Sequence, residues 1–249
     1  MSDPATSTTM STASRWMILV ASCLGLLFDG IELGLMPVAS LSVSQGLLQQ
    51  QYTKPLGQEW FAWFTASLML GAAIGGITLG KLGDRIGRTK AMGISILFYS
   101  IFALLGAWVQ NQTQMLLLRF MVGLGVGGMW PNGMALVAEC WPRASRAWVA
   151  GVMSAGLNAG ILLISQITRN YPITPDSWRW LFFLAGAPAL LGIFVLTLLP
   201  ESPTWLRNQK TPPDGNQSNN SIESKLQSSS LFSKELWPTT LLAMLLSAI

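Results

Sequence analysis

The chain has no histidine, only two cysteines, and charged side chains at just 10% of its 249 residues. Without histidine it lacks the commonest metal ligand and the one side chain whose ordinary titration falls near neutrality. Cys23 and Cys140 stand apart, one inside an apolar run and one at the end of another. Neither a disulfide nor a metal site is expected from them. Soluble domains carry about 25% charged residues, so this chain is too poor in charge to coat a water-facing surface. Its 15 Lys and Arg exceed its 11 Asp and Glu, but they are scattered between apolar runs. That pattern excludes the aromatic-interleaved basic patch that nucleic acid needs. No haem, iron–sulfur or nucleotide-loop pattern occurs, so no cofactor is implied. No convergent catalytic set stands beside the acids, and an enzyme is not expected.

A cleavable leader is not expected either. The first 14 residues, MSDPATSTTMSTAS, are polar and contain no basic residue, whereas a signal peptide opens with a positive region. Residues 1–15 are therefore expected to remain as a cytoplasmic tail.

What the chain does have is long charge-free runs. Trp60–Gly80, Ala91–Gln110, Phe120–Ala138, Ala147–Thr168 and Trp180–Pro200 each hold 19 to 22 residues. About 20 apolar residues cross a bilayer's hydrocarbon as a helix. Trp16–Ala39 makes a sixth span despite containing Asp29 and Glu32. The expected fold is thus all-α, a six-helix membrane bundle over residues 16–206. Helices are required because backbone groups at membrane depth need internal partners, and barrel strands would alternate in polarity. Residues 207–236, with PPDGNQSNNS and a serine run, read as a polar cytoplasmic loop. Residues 237–249, WPTTLLAMLLSAI, are either an interfacial helix or, as we read them, the start of a truncated seventh helix.

Basic residues set the orientation. With the amino terminus in the cytoplasm, 11 of them fall in cytoplasmic segments and 3 (Lys54, Arg169 and Arg179) in external loops, with Arg119 inside a helix. A multi-pass protein of the cell inner membrane, in contact with membrane lipids, is expected.

Asp29 and Glu32 lie one turn apart on the same face of the first span. An acid at mid-membrane costs roughly 2.5–3.5 kcal/mol on insertion scales, so the pair should face water or a partner. It is a candidate for binding and releasing a proton; alternatively, Glu32 nears the headgroups and Asp29 makes an ordinary polar helix contact. Arg119 opens the fourth apolar run. It either snorkels to the interface or points inward, to pair with an acid or attract an anion.

Glycines supply the remaining pattern. Gly123, Gly125, Gly127 and Gly128 fall within GLGVGG, and Gly71/Gly75 and Gly76/Gly80 are small-xxx-small pairs, which permit close helix packing or sliding. Pro131 and Pro188 remove amide donors and can bend spans. The short loop expected between spans two and three, GKLGDRIGRTK (residues 80–90), puts four basic residues around Asp84. On physical grounds it is either an ion-paired gate or an anchor on anionic lipid.

These residues carry a family resemblance. Gly80, Leu82, Asp84, Arg85, Gly87 and Arg88 match the loop signature of the major facilitator superfamily, with Thr89 in its last basic place and Lys90 following. Arg119 with FMVGLGVGG resembles the fourth-helix pattern of its sugar and organic-acid porters. PESPTWL, residues 200–206, is similar to the close of their sixth helix. FDGIELGL resembles the first-helix motif of the aromatic-acid:proton symporters, with Glu32 where those have Asp. The resemblance covers nearly the whole chain but half of a usual twelve-helix transporter.

It implies alternating-access transport of a small organic anion, such as a carboxylate or aromatic acid, coupled to protons. Asp29, Glu32 and Arg119 would serve substrate or proton coupling. Gly80, Asp84, Arg85, Gly87 and Arg88 would form a conformational gate. A carboxyl-terminal six-helix half, in a full-length parent or a separate chain, would complete the carrier. A sugar or drug transporter, or a non-transporting half, is the alternative.

Overall fold

The computed structural model describes residues 10–141 and 145–210. The part of the chain through Leu206 forms one compact unit. The seventh-helix segment and nearly all of the polar loop lie outside the described residues.

The elements are α1 (Thr12–Leu48), α2 (Lys54–Ile86), α3 (Arg88–Leu105), α4 (Gln112–Cys140), α5 (Arg146–Asn170), α6 (Arg179–Gly186), α7 (Ala189–Leu198) and α8 (Pro203–Lys210). Among the described residues, six spans are long and apolar enough to cross a membrane, the sixth made of α6 and α7 together. The break between those two falls at Ala187–Pro188, where proline lacks an amide hydrogen. Pro131, by contrast, lies inside an uninterrupted α4.

Several helices extend beyond the charge-free runs because polar residues cap them. Ser11 accepts from the amide of Ser14 and starts α1 ahead of Trp16. Thr53 caps α2, with proline in its first turn, and Asn111 caps α4, all residue types that satisfy free amides at helix starts. The segment 80–90 is accordingly almost all helix. Only Gly87 separates α2 from α3, at φ 112° and ψ 148°, a backbone region that side-chain-bearing residues avoid.

The core is shared by α1 (Leu26, Leu35, Val43), α3 (Met92, Ile96), α4 (Met115, Val122, Met129) and α6 (Leu181, Phe182), all buried. Outward-facing residues such as Leu70, Ile77, Leu190 and Leu198 are exposed, as suits a surface wetted by lipid.

Two glycine seams bring the helices together. Gly71 and Gly75 on α2 sit against the carbonyls of Phe120 and Leu124, while Gly123 and Gly127 on α4 sit against those of Leu68 and Ala72. Gly125 and Gly128 turn instead toward Tyr99, Leu79 and Ser95. The Gly76 and Gly80 contacts are looser, at 3.4 and 3.6 Å from where a Cβ would stand. The second seam joins α1 to α5, with Gly30 against the Leu157 carbonyl and Gly160 against that of Leu27. Its glycines, Gly30/Gly34 and Gly156/Gly160, have the same four-residue spacing but stand out less in the sequence than GLGVGG.

A side chain at either seam must push two backbones apart. Gly123→Val and Gly160→Val are expected to cost about 1–3 kcal/mol each. Gly151→Ala, where no described residue stands within 4 Å of the added carbon, should leave the unfolding midpoint in detergent unchanged or raise it, since alanine favours helix by up to about 1 kcal/mol.

Candidate functional site

Asp29 and Glu32 on α1 and Arg119 on α4 are 1%, 2% and 0% exposed. Because α4 begins at Gln112, Arg119 lies two turns inside the helix rather than at its end. Its Nη1 donates to Glu32 Oε1 in a buried ion pair. The guanidinium also stands 5.4 Å from the centroid of the Phe182 ring, and Phe182 meets the edge of Trp178 at 5.5 Å. A delocalised, weakly hydrated cation is suited to such a place.

Tyr99 of α3 completes the group. It is fully buried and neighbours both Asp29 and Glu32. Gly125 makes this approach possible, since a Cβ there would come 2.7 Å from the Tyr99 backbone nitrogen. The Tyr99 hydroxyl is directed at the Asp29 carboxylate, while among the described residues Glu32 Oε2 and Arg119 Nε and Nη2 are buried without a hydrogen-bond partner. An isolated buried ion is costly, and one opposite charge offsets only part of that cost. Arg119 and Glu32 compensate each other, whereas among the described residues Asp29 has no ion-pair partner. The group therefore holds one more acid than base, enclosed within the helices. Tyr99, Phe182 and Trp178 were not singled out from sequence; the isolated Tyr99 in an apolar run was the available signal.

The gate residues divide. Arg88 Nη2 lies 2.6 Å from Asp84 Oδ1, and its Nε lies 3.5 Å from Glu139 Oε1. Ser202 Oγ donates to Glu139 Oε2. Glu201 Oε1 accepts from the amides of Thr89 and Ser202, at 2.9 Å each. An acid at the start of α3 is placed where the free helix amides favour it. Thr89 Oγ1 donates to the Pro200 carbonyl at 2.9 Å, and Trp205 Nε1 to the Asp84 carbonyl at 3.0 Å. Thus Thr89, in the signature's basic place, connects through hydrogen bonds. Gly87 lies buried against the Glu201 carboxylate. Gly80 instead faces the Pro131 ring, and Arg85 is exposed. Glu139, Glu201, Ser202 and Trp205 were absent from the expected gate set, although PESPTWL had marked three of their positions.

A third feature is the outer face of α5. Asn158, Ser165, Gln166 and Arg169 are exposed there and share one side at helical spacing. Exposed amides are costly against hydrocarbon, so this side suits water or another protein surface. Among the described residues, no group of three or more His, Cys, Asp or Glu could hold a metal ion.

A family model described as "Sugar (and other) transporter" matches residues 17–236. A gallate transporter of Pseudomonas putida is 30% identical over 201 residues, 80% of this chain and 43% of that protein. An inner membrane metabolite transport protein of Escherichia coli is 34% identical over 144 residues, 57% of this chain and 32% of that protein. The chain spans less than half the length of these relatives. A solved structure of the E. coli xylose transporter XylE in a partially occluded, inward-open conformation aligns with TM-score 0.72 at 22% identity. That alignment covers 80% of this chain and 51% of XylE, and it supports the helical arrangement.

Removing one member of the buried ion pair leaves the other uncompensated. Arg119→Met or Glu32→Gln alone should cost about 3–5 kcal/mol, and the double variant should recover much of that loss in a thermal-unfolding cycle. At the other end of the bundle, Gly87→Ala should cost about 1–3 kcal/mol through its backbone conformation, read as a lower unfolding midpoint.

Proposed function

Since the chain belongs to the sugar (and other) transporter family, we propose that it is the amino-terminal half of a proton-coupled carrier for a small organic metabolite. The carrier works by alternating access across the cell inner membrane, with the amino terminus in the cytoplasm. Its partners are protons, membrane lipids, the metabolite and a carboxyl-terminal six-helix half, in the same parent chain or a separate one. The observation that carries this reading is the enclosure of Asp29, Glu32 and Arg119 inside the bundle.

Enclosure separates coupling from substrate contact. Arg119 is committed to Glu32, so it serves as a counter-ion within the half rather than as an open-face ligand for an anion. Asp29, the acid without an ion-pair partner among the described residues, is assigned the transported proton. Asp84, Arg88 and Gly87 act in the gate through Glu139 and Glu201; Gly80, packed toward Pro131, and the exposed Arg85 are assigned to the same gate. The exposed α5 face, with Asn158 and Gln166, is assigned to the substrate path and second half.

Two substrate classes have specific support. Neutral hydrogen-bonding groups on α5, with the central arginine sequestered, favour a sugar-like solute. Likeness to a gallate transporter, together with Arg169 at the end of the α5 face, favours an aromatic or carboxylate solute. The sugar-like reading gains most from the geometry, because it needs no free central cation.

The test is uptake by the chain combined with its second half in proteoliposomes, using sugar and carboxylate panels under an imposed pH gradient. One panel should accumulate with the gradient, and Asp29→Asn should remove at least about tenfold of that accumulation. Gradient-independent uptake by both the parent and Asp29→Asn would contradict coupling. The accumulating panel decides the substrate class.

A further inference from the structure

A second set of buried polar groups leads away from the charged group toward the opposite end from Gly87. On α1, Glu32, Met36, Ser40 and Ser44 recur every four residues, and all are buried. On α4, Arg119, Met115 and Gln112 follow one another up the same side, also buried. The rows face each other in opposite directions. Glu32 pairs with Arg119, and Gln112 Nε2 donates to the Ser44 carbonyl at 3.4 Å. Two helical turns, about 10 Å, separate Arg119 from Gln112 along α4.

This segment contains its own unpaired polar atoms. Among the described residues, Ser44 Oγ, Gln112 Oε1 and Trp178 Nε1 are buried with no hydrogen-bond partner. Trp178 links back to Arg119 through Phe182, and its indole nitrogen lies beside Gly46, 2.6 Å from where a Cβ would stand. Buried polar atoms seldom remain unmatched, and structural water commonly satisfies them. Gln112 occupies the first turn of α4, immediately after exposed Asn111, so the row reaches the edge of the bundle. Between its polar ends stand Met36 and Met115, whose unbranched side chains readily change shape.

We propose that Ser40, Ser44 and Gln112 line a proton-access route within the six-helix unit, running from the Gln112 end to the charged group. The route is separate from the exposed α5 face. It rests on the proton-coupled carrier reading and adds residues which that reading does not require. Charged or titratable groups facing its inner end are Asp29 and Glu32 from α1, Tyr99 from α3 and Arg119 from α4. Arg179 lies at the outer rim, stacked 4.3 Å from the centroid of the Trp178 ring, with Nη2 donating to the Val109 carbonyl at 3.2 Å.

A proton-access residue and a structural residue differ in what their loss spares. Gln112→Leu should reduce pH-gradient-driven accumulation about tenfold while substrate counterflow, which needs no net proton movement, stays within about twofold. Gln112→Glu should restore accumulation. Ser44→Ala, a smaller change, should show the same split to a lesser degree. These measurements use the chain with its second half and a substrate identified by the uptake panel.

Unchanged gradient-driven accumulation in Gln112→Leu and Ser44→Ala would overturn the route while leaving the carrier reading intact. Equal loss of accumulation and counterflow in both variants would also overturn it, by assigning those side chains to structure. Absence of gradient dependence in the parent itself would defeat the carrier reading on which the route rests.

Discussion

Arg119 and Glu32 form the contact on which the rest of the arrangement depends, because neither charge is tolerable alone at that depth. To meet, α1 and α4 must hold one register, with Arg119 two turns inside its helix. The glycine seams make that register attainable from both sides. Gly123 and Gly127 let α2 close on α4, Gly30 and Gly160 let α5 close on α1, and Gly125 admits Tyr99. Polar pairing thus selects an alignment that small residues make sterically possible. Apolar packing alone would be less selective, since lipid tails compete equally well for an apolar helix face.

The same helix serves two charge clusters. Arg119 and Glu139 are both on α4, separated by 20 residues and hence by about 30 Å of helix. One joins the buried acids, and the other joins Arg88 and Ser202 at the α2–α3 turn. A shift of α4 along its axis would alter both clusters, and the glycine seam packs α2 closely against that same helix. This mechanical link needs no chain of specific side-chain contacts between the two ends. It also gives Gly87 a clear role, because a wider α2–α3 turn would separate Glu201 from the Thr89 amide it accepts from.

The six spans were legible because length and charge exclusion act locally on each segment. Their true ends were less so. Ser11, Thr53 and Asn111 extend helices past the apolar boundaries, and only capping geometry reveals this. Residues 80–90 looked like a loop because their charges dominate the composition, yet helix continues through them to Ile86. For the site, Asp29, Glu32 and Arg119 stood out as charges in apolar surroundings. Sequence could not choose between a snorkelling Arg119 and an inward one, since the answer depends on where Asn111 starts the helix. Tyr99, Glu139 and Glu201 were harder still, because their meaning comes from partners on distant helices.

Enclosure also constrains how a proton could do work here. With both acids ionised, the formal charge of Arg119, Glu32 and Asp29 sums to one negative, and a single proton makes the group neutral. In a low-dielectric surrounding the two forms differ strongly in solvation cost, while in water they differ little. A conformation that admits water near Asp29 carries the group's net charge at lower cost than one that excludes water. In the proposed carrier, that difference in solvation is what links proton occupancy to helix arrangement. The substrate need not touch Asp29 for this to hold. It need only prefer one of the two arrangements, because a ligand shifts an equilibrium through its differential affinity for the states. The burial of the charged group is thus compatible with several kinds of solute, which is why its geometry speaks more directly to coupling than to cargo.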